Sequence, residues 1–350
     1  LSTAIIAVDA MGGDFGPRYV VPACIASLIR YPSLHIILVG NAQQIEPHML
    51  DLSFSVKQRL TVRPAQENIE MSDSPAQILR GKPDASMRVA LQLVREGRAH
   101  ACVSAGNTGA LMALSKHILK TLPQIERPAI MTALPTQKST IHLLDLGANV
   151  DCSAEQLLQF AVMGSAAVQL GGVSQPRVAL LNVGVESIKG NQQVRQAAGL
   201  LAGLKNINYI GYIEGDGVYR GEADVVVCDG FVGNVLLKSS EGLARLMAAT
   251  LFEEVKRTFW RRSLAWLNRN MWSEVHKRWS PDHYNGALLL GVDGVVVKSH
   301  GAANQLAIAS AIGVATRAVQ ENLPMRLGRH IQASYASLSA AQQVRQNGDE

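Results

Sequence analysis

Several short runs of this chain set cations, amides and hydroxyls beside glycines. Lys189 lies in the run 182–190, Asn-Val-Gly-Val-Glu-Ser-Ile-Lys-Gly, which follows an apolar strand pattern. Composition alone favours a solvated lysine at a helix start. The other reading is a cation aimed into a cleft, where it would hold phosphate or stabilise a developing oxyanion. Asn234 ends the run Asp-Gly-Phe-Val-Gly-Asn that opens at Asp229, itself a candidate for substrate binding. It can cap the helix that follows, or its amide can donate to a carbonyl or phosphate oxygen. Ser104, Gly106, Asn107 and Thr108 make a turn into a helix, either a capping turn or a phosphate cradle. Asp9 and Asp14 flank Gly12 and Gly13. A carboxylate repels phosphate, so these two read as positioners of backbone or lysine groups. Asp145, Asn149 and Asp151 read in the same way, as loop residues of a site. His300, beside Lys298 and Gly301, can titrate near neutrality, although a lone histidine is more often a hydrogen-bonded structural residue.

Other familiar sites fail at named residues. The run 233–239, Gly-Asn-Val-Leu-Leu-Lys-Ser, lacks the glycine before the lysine of a nucleotide-phosphate loop. No GxGxxG follows the first strand. Runs 172–176 and 102–106 each miss one glycine of the GxSxG elbow, so a serine-hydrolase triad has no support. There is no HExxH and no Cys/His set with zinc spacing. No metal and no cofactor is expected.

Elements must place these runs. β-Branched and aliphatic stretches predict strands over 4–8, 35–39, 60–63, 101–104, 129–134, 141–144, 177–182, 224–228 and 288–298, the last broken by a turn at Asp293-Gly294. Helical periodicity predicts helices over 18–30, 84–96, 109–120, 154–170, 192–204, 234–250 and 302–320. Alternation of the two implies a Rossmann-like, three-layer α/β/α fold with a mostly parallel sheet. The glycine-rich runs follow strands, and in such sheets ligands bind outside the strands' carboxyl ends. The runs are therefore expected to build one composite site. Residues 1–333 are expected to form one catalytic domain, whole or in two lobes, with a helical hairpin over 250–280. The stretch 334–350, small, polar and aperiodic, is expected to be a flexible tail.

The chain has 350 residues, 47% of them hydrophobic and 17% charged, enough to bury a large core and to exclude wholesale disorder. Its four cysteines, Cys24, Cys102, Cys152 and Cys228, lie far apart and read as reduced thiols in a cytoplasmic protein. No secretory leader or uniform apolar span is read. The net charge of +5 suggests an anionic partner until it is located. Seven basic residues and one acid fall between Lys256 and Arg278, so this segment carries +6 and the rest of the chain sums to −1. All four tryptophans, Trp260, Trp266, Trp272 and Trp279, sit in or beside it, among Arg261, Arg262 and Arg269. The segment reads as a dimer interface or as an interfacial helix on anionic lipid. The two readings are compatible, and there is no recognised nucleic-acid module.

The runs 9–14, 104–112 (Ser-Ala-Gly-Asn-Thr-Gly-Ala-Leu-Met), 144–149, 182–190, 227–234 and 298–301 resemble those of the bacterial acyl-carrier-protein:phosphate acyltransferases, the PlsX family. The resemblance spans about residues 5–327, in the family's order. Ala85 stands where the family pattern has serine. The resemblance implies that long-chain acyl thioester on acyl carrier protein and inorganic phosphate give acyl phosphate and free carrier protein. The product would feed a glycerol-3-phosphate acyltransferase early in phospholipid synthesis. It implies a fold similar to phosphotransacetylases and isocitrate-type dehydrogenases, a homodimer, and peripheral attachment to the inner face of the cell membrane. It also implies that Lys189 and Asn234 are central to catalysis. The alternatives are a phosphotransacetylase acting on short acyl-CoA and a non-catalytic anion-binding scaffold.

Overall fold

The computed structural model describes residues 3–260, 263, 268 and 281–346. Eleven strands form one sheet: β1 (Ala4–Asp9), β2 (Leu34–Gly40), β3 (Leu60–Pro64), β4 (Ala101–Ser104), β5 (Ala129–Pro135), β6 (Thr140–Leu144), β7 (Arg177–Leu181), β8 (Asn208–Ile213), β9 (Val225–Val227), β10 (Ala287–Leu290) and β11 (Val295–Lys298). Their order is β3-β2-β1-β4-β11-β10-β5-β6-β9-β7-β8. The longer helices are α1 (Pro17–Arg30), α2 (Ser86–Arg95), α3 (Thr108–Ile118), α4 (Ala154–Leu170), α5 (Gln192–Ala202), α6 (Gly230–Lys256), α7 (Gln305–Gln320) and α8 (Leu323–Gln346).

Side chains alternate between the two faces of each strand, and the two cores follow that period. Ile6 and Val8, Ala101 and Val103, Val225 and Val227, and Val295 and Val297 face one core, with α1, α4 and α7 over it. Ala7, Cys102, Val226 and Val296 face the other, under α2 and α3. Burial on both faces explains why these strands read as continuous apolar runs. The predicted α/β/α layering and mostly parallel sheet are what the chain adopts. The predicted hairpin is the antiparallel pair β10–β11. α4 begins as predicted, where Ser153 and Gln156 close a reciprocal capping box.

The sheet differs from the expected one in direction. β1, β2, β3, β4 and β11 are mutually parallel, and β6, β9, β7 and β8 form a second parallel block. Antiparallel pairings β11–β10, β10–β5 and β5–β6 reverse the chain between them. The carboxyl ends of the two blocks therefore point in opposite senses, and the glycine-rich runs do not share one edge. Sheet twist of about 20–25° per strand turns β9 by roughly 80–100° relative to β11 over the four intervening steps. α6, 27 residues long and about 40 Å at the usual rise, starts at the end of β9 and reaches the end of β11.

Two boundaries were also misread. β8 was not predicted; its half-exposed residues, Gly211 and irregular pairing with β7 give no clean alternation. Residues 334–346, expected as an aperiodic tail, continue α8, and Ser334 is buried and bonded to Asn206 at 2.8 Å. Of the basic tryptophan segment, Trp260 is described and 77% exposed. Arg261, Arg262, Trp266, Arg269, Trp272 and Trp279 lie outside the described residues.

Candidate active site

The first group of runs is organised by Asp9, at the end of β1. Its carboxylate is buried and accepts the Ser86 hydroxyl on Oδ1 and the Ser104 hydroxyl on Oδ2, both at 2.6 Å, and the Met11 N–H at 3.3 Å. Burial pushes its pKa up, and these hydrogen bonds oppose the shift. Ser104 Oγ also accepts the Gly106 N–H at 3.1 Å. A Cβ on Gly12 would meet Gly106 N at 2.8 Å, so only glycine lets the two loops approach this closely. Asp14 N–H donates to Gly301 O at 2.9 Å, tying the loop of Gly12 and Gly13 to the end of β11. Asp9 is thus a positioner, as its type suggested. Ser104 is not the exposed hydroxyl of a phosphate cradle, because both its bonds are internal.

Asn107 is likewise occupied. Its Oδ1 caps α3 by accepting the Ala110 N–H at 3.0 Å, and its Nδ2 donates to the carbonyls of Glu70, Met71 and Asp73. The capping reading of that turn is the one the structure supports, and Thr108 is the member that faces open space. Ser86 escaped the sequence reading. Its signal was the neighbouring departure at Ala85, which leaves the N-cap of α2 without a side-chain acceptor. Ala85→Ser is expected to raise stability by about 1 kcal/mol through that cap, read as a higher melting temperature.

The second group is organised by Asp145, which is fully buried. Its Oδ1 accepts N–H bonds from Ile130 at 2.8 Å and Leu146 at 2.7 Å. Oδ2 accepts the Asn149 N–H at 2.6 Å and its side-chain amide at 3.0 Å. Burial pushes this pKa up too. The second donor contact of the Asn149 amide goes to Pro128 O at 2.8 Å. Asp145 and Asn149 therefore brace the loop, while Asn149 Oδ1 is buried with no hydrogen-bond partner among the described residues. Asp229 was a substrate-binding candidate; it is the N-cap of α6, accepting the Val232 N–H at 2.8 Å. The predicted helix start at Asn234 is thus one turn late. Asn234 is free of capping and lies over Gly147, where a Cβ would stand 3.6 Å from its Cγ.

Between the two groups lies a cleft of about 590 Å³. α6 lines one wall with Asn234, Lys238, Glu241 and Arg245, a 4-3-4 spacing that keeps them on one face. Thr108, Lys298 and His300 line the opposite side, and Ile130, Leu134 and Leu146 give it an apolar floor. Lys238 Nζ stands 2.8 Å from His300 Nε2 and 3.1 Å from Glu241, which also holds Arg245 at 3.1 Å. Lys298 is tied to the carbonyls of Ala105 and Ser299. Burial pulls its pKa down to about 8, with Lys238 acting in the same direction and Asp9 and Asp14 against it. Burial, then Lys238, also lowers His300. Lys238, Arg245 and Lys298 were not among the predicted site residues, since helix register and strand order alone bring them to Thr108 and His300.

Lys189 does not line this cleft. It is exposed in the loop after β7, where Asn182 Nδ2 donates to its carbonyl at 3.2 Å. Cys102 and Cys228 are buried, and burial pushes both thiols well above the usual range; Cys152, less buried, is pushed up to about 12. No thiolate is poised at the site.

A family model described as "Fatty acid synthesis protein" matches residues 4–326. The chain is 59% identical over 330 residues to the "Phosphate acyltransferase" of Ectopseudomonas mendocina (strain ymp), covering 93% of this chain and 97% of that protein. It is 58% identical over 327 residues to that of Pseudomonas fluorescens (strain Pf0-1), with the same coverage. Among solved structures, a phosphotransacetylase from Streptococcus pyogenes superposes with a TM-score of 0.60 at 18% identity, covering 91% of this chain and 94% of that one. The EutD phosphotransacetylase from Staphylococcus aureus does so at 0.58 and 15%, covering 92% and 96%. These two bear out the expected phosphotransacetylase-like fold, and the fold alone. With the match of residues 4–326 and these relatives, the chain belongs to the fatty acid synthesis protein family of the phosphate acyltransferases.

Proposed function

We propose that this phosphate acyltransferase takes a long-chain acyl group from acyl carrier protein and delivers it to inorganic phosphate. The observation that carries the reading is the cleft itself, with basic groups on its rim, an apolar floor and a free amide at Asn234. A phosphate oxygen attacks the thioester carbonyl carbon, a tetrahedral oxyanion forms, and its collapse breaks the C–S bond. The proton of hydrogen phosphate ends on the leaving thiolate, giving acyl phosphate and free carrier protein. Asn234 donates to the oxyanion. Lys189, carried by the loop after β7 and outside the cleft lining in this structure, is assigned by the family resemblance to neutralise phosphate or polarise the carbonyl. Direct attack is supported by the raised pKa values of Cys102, Cys152 and Cys228, which leave no activated thiol to carry the acyl group. The test is consumption of acyl-carrier-protein thioester that depends on phosphate and yields acyl phosphate. Equal rates without phosphate, or a trapped acyl-enzyme, would overturn this chemistry. A preference for short acyl-CoA would point to the phosphotransacetylase alternative.

The product, a mixed anhydride, suits a downstream glycerol-3-phosphate acyltransferase. A second copy of the chain is supported by Leu243, Leu246, Met247 and Leu251, exposed along α6. Among the described residues no helix is long and apolar enough to cross a membrane. Peripheral attachment to an anionic membrane is supported by exposed Phe259 and Trp260 and by the +6 charge of the segment 256–278 that contains them. Each basic residue near such a surface contributes about 1 kcal/mol. Reversing charge at Arg261, Arg262 and Arg269 is expected to release the protein from anionic vesicles in a flotation assay, with turnover of soluble thioester retained. Unchanged flotation would count against the attachment.

A further inference from the structure

The basic groups of the cleft outnumber the carboxylates paired with them, and their hydrogen bonds conflict. His300 Nδ1 accepts the Ala302 N–H at 3.1 Å, so in the neutral ring the proton must sit on Nε2. That nitrogen faces Lys238 Nζ at 2.8 Å, and two donors then point at each other. Lys238 and Arg245 share the single carboxylate of Glu241. Lys298, half-buried beside them, has only backbone carbonyls as hydrogen-bond partners, with Asp9 and Asp14 acting on it at longer range. The other carboxylate lining the cleft, Asp282, accepts from Asn304 at 2.7 Å. Beside this cluster α3 begins. Asn107 takes the Ala110 N–H, and the helix's positive end and the Thr108 hydroxyl border the cleft.

We propose that Lys238, Lys298 and His300, with Thr108 at the start of α3, form the grip for a tetrahedral phosphate group in this cleft. An oxygen between Lys238 and His300 accepts from both and removes the donor–donor conflict. A second oxygen takes Lys298, and the remaining ones face α3. Glu241 holds Lys238 and Arg245 to the wall while the anion is absent. The inference deepens the reading above and rests on it. Two sources share this chemistry: the inorganic phosphate that attacks, and the phosphodiester that joins the carrier's thiol arm to its protein. Lys298 titrates at about 8, so the grip weakens as pH rises through that value. The titratable groups facing Lys298 are Lys238 on α6, Asp9 and Asp14 on the β1 loop, and His300 in the loop after β11.

The test compares the wild type with Lys238→Met, Lys298→Met and His300→Gln in the full-length protein. Acyl phosphate formation is measured with phosphate and acyl-carrier-protein thioester varied independently, and phosphate binding is followed by calorimetry without thioester. Loss of a charge-assisted bond corresponds to about 10–100-fold in affinity. A rise of that size in the KM for phosphate, with loss of the calorimetric signal and an unchanged KM for thioester, supports the grip with inorganic phosphate as occupant. A rise in KM for the carrier-protein thioester, absent with acyl-pantetheine that lacks the phosphodiester, supports it with the arm as occupant. Sulfate, whose charge is constant across the range, should bind more weakly above about pH 8 in the wild type and without that slope in Lys298→Met. Lys238 is at the surface, so Lys238→Met decides the matter if Lys298→Met fails to fold. Both KM values unmoved in a folded Lys238→Met would overturn the proposal. If the wild type makes no acyl phosphate yet binds phosphate through these residues, the functional reading fails and the grip stands.

Discussion

Asn234→Ala is expected to lower kcat for acyl phosphate formation by about 10²–10³-fold, the usual cost of one preorganised oxyanion donor. The melting temperature should stay within a few degrees of the wild type. The structure separates the two effects because Asp229, and not Asn234, caps α6. Among the described residues the Asn234 amide has no hydrogen-bond partner, so its removal leaves no buried group unsatisfied. The donor is nevertheless held in place. It sits on the second turn of a long helix, over Gly147, on the face that carries Lys238 and Arg245. An interaction made only in the transition state lowers kcat and kcat/KM together, and steady-state kinetics on the purified variant reads that signature. Lys189→Ala is expected to lose most turnover as well. Near-normal rates in both variants would remove the catalytic assignment while leaving the cleft and its cations untouched.

Gly233→Ala is expected to do the opposite, damaging the fold first and activity as a consequence. A Cβ on Gly233 would stand 1.9 Å from the carbonyl oxygen of Asp145 and 2.9 Å from Cys228 Sγ. The oxygen is backbone, in a loop pinned by five bonds to the Asp145 carboxylate. It cannot swing aside as a flexible side chain would. Overpacking of this kind costs about 1–3 kcal/mol or more, and relief requires shifting the start of α6 with Asn234 on it. The same substitution nine residues along the helix, Gly242→Ala, meets nothing within 4 Å. It should raise stability by about 0.5–1 kcal/mol through helix propensity. Opposite signs in chemical denaturation, for one substitution at two places on one helix, check the packing argument. A Gly233→Ala protein as stable and active as the wild type would contradict it.

Much of the fold was legible because it rests on local periodicity. Strands buried on both faces are plain apolar runs, as in 101–104 and 225–227, and α4 carries its own start signal in Ser153 and Gln156. β8 was not legible, since a half-exposed strand with a glycine and irregular pairing shows no period. Continuation of α8 past Ser334 was not legible either, because small polar residues there have weak propensity and tertiary contacts such as Ser334 to Asn206 help hold the turn. In the site, residue types indicated the loops but left open which duty each side chain has. Ser104, Asn107, Asp145, Asn149 and Asp229 all have chemically able side chains, and each makes internal hydrogen bonds to backbone or to another side chain. A side chain's partners at long sequence separation are invisible to spacing, and Asp9 meets Ser86 and Ser104 across 77 and 95 residues.

By itself the amino-acid sequence determined the layered α/β class, the glycine-rich loops after the strands, and the family resemblance that the comparisons bear out. It also located the excess positive charge in one tryptophan-rich segment, away from the loops. Those properties are local or additive, so they survive without knowledge of the fold. Only the tertiary structure decided which side chains are free to meet a substrate. The reversal of strand direction at β10, β5 and β6 separates the loops into two groups. The start of α6 then brings Asn234 and Lys238 to the cleft that Thr108, Lys298 and His300 also line. That convergence depends on strand order and helix register over nearly 200 residues of chain, and neither is written in the spacing of any one motif.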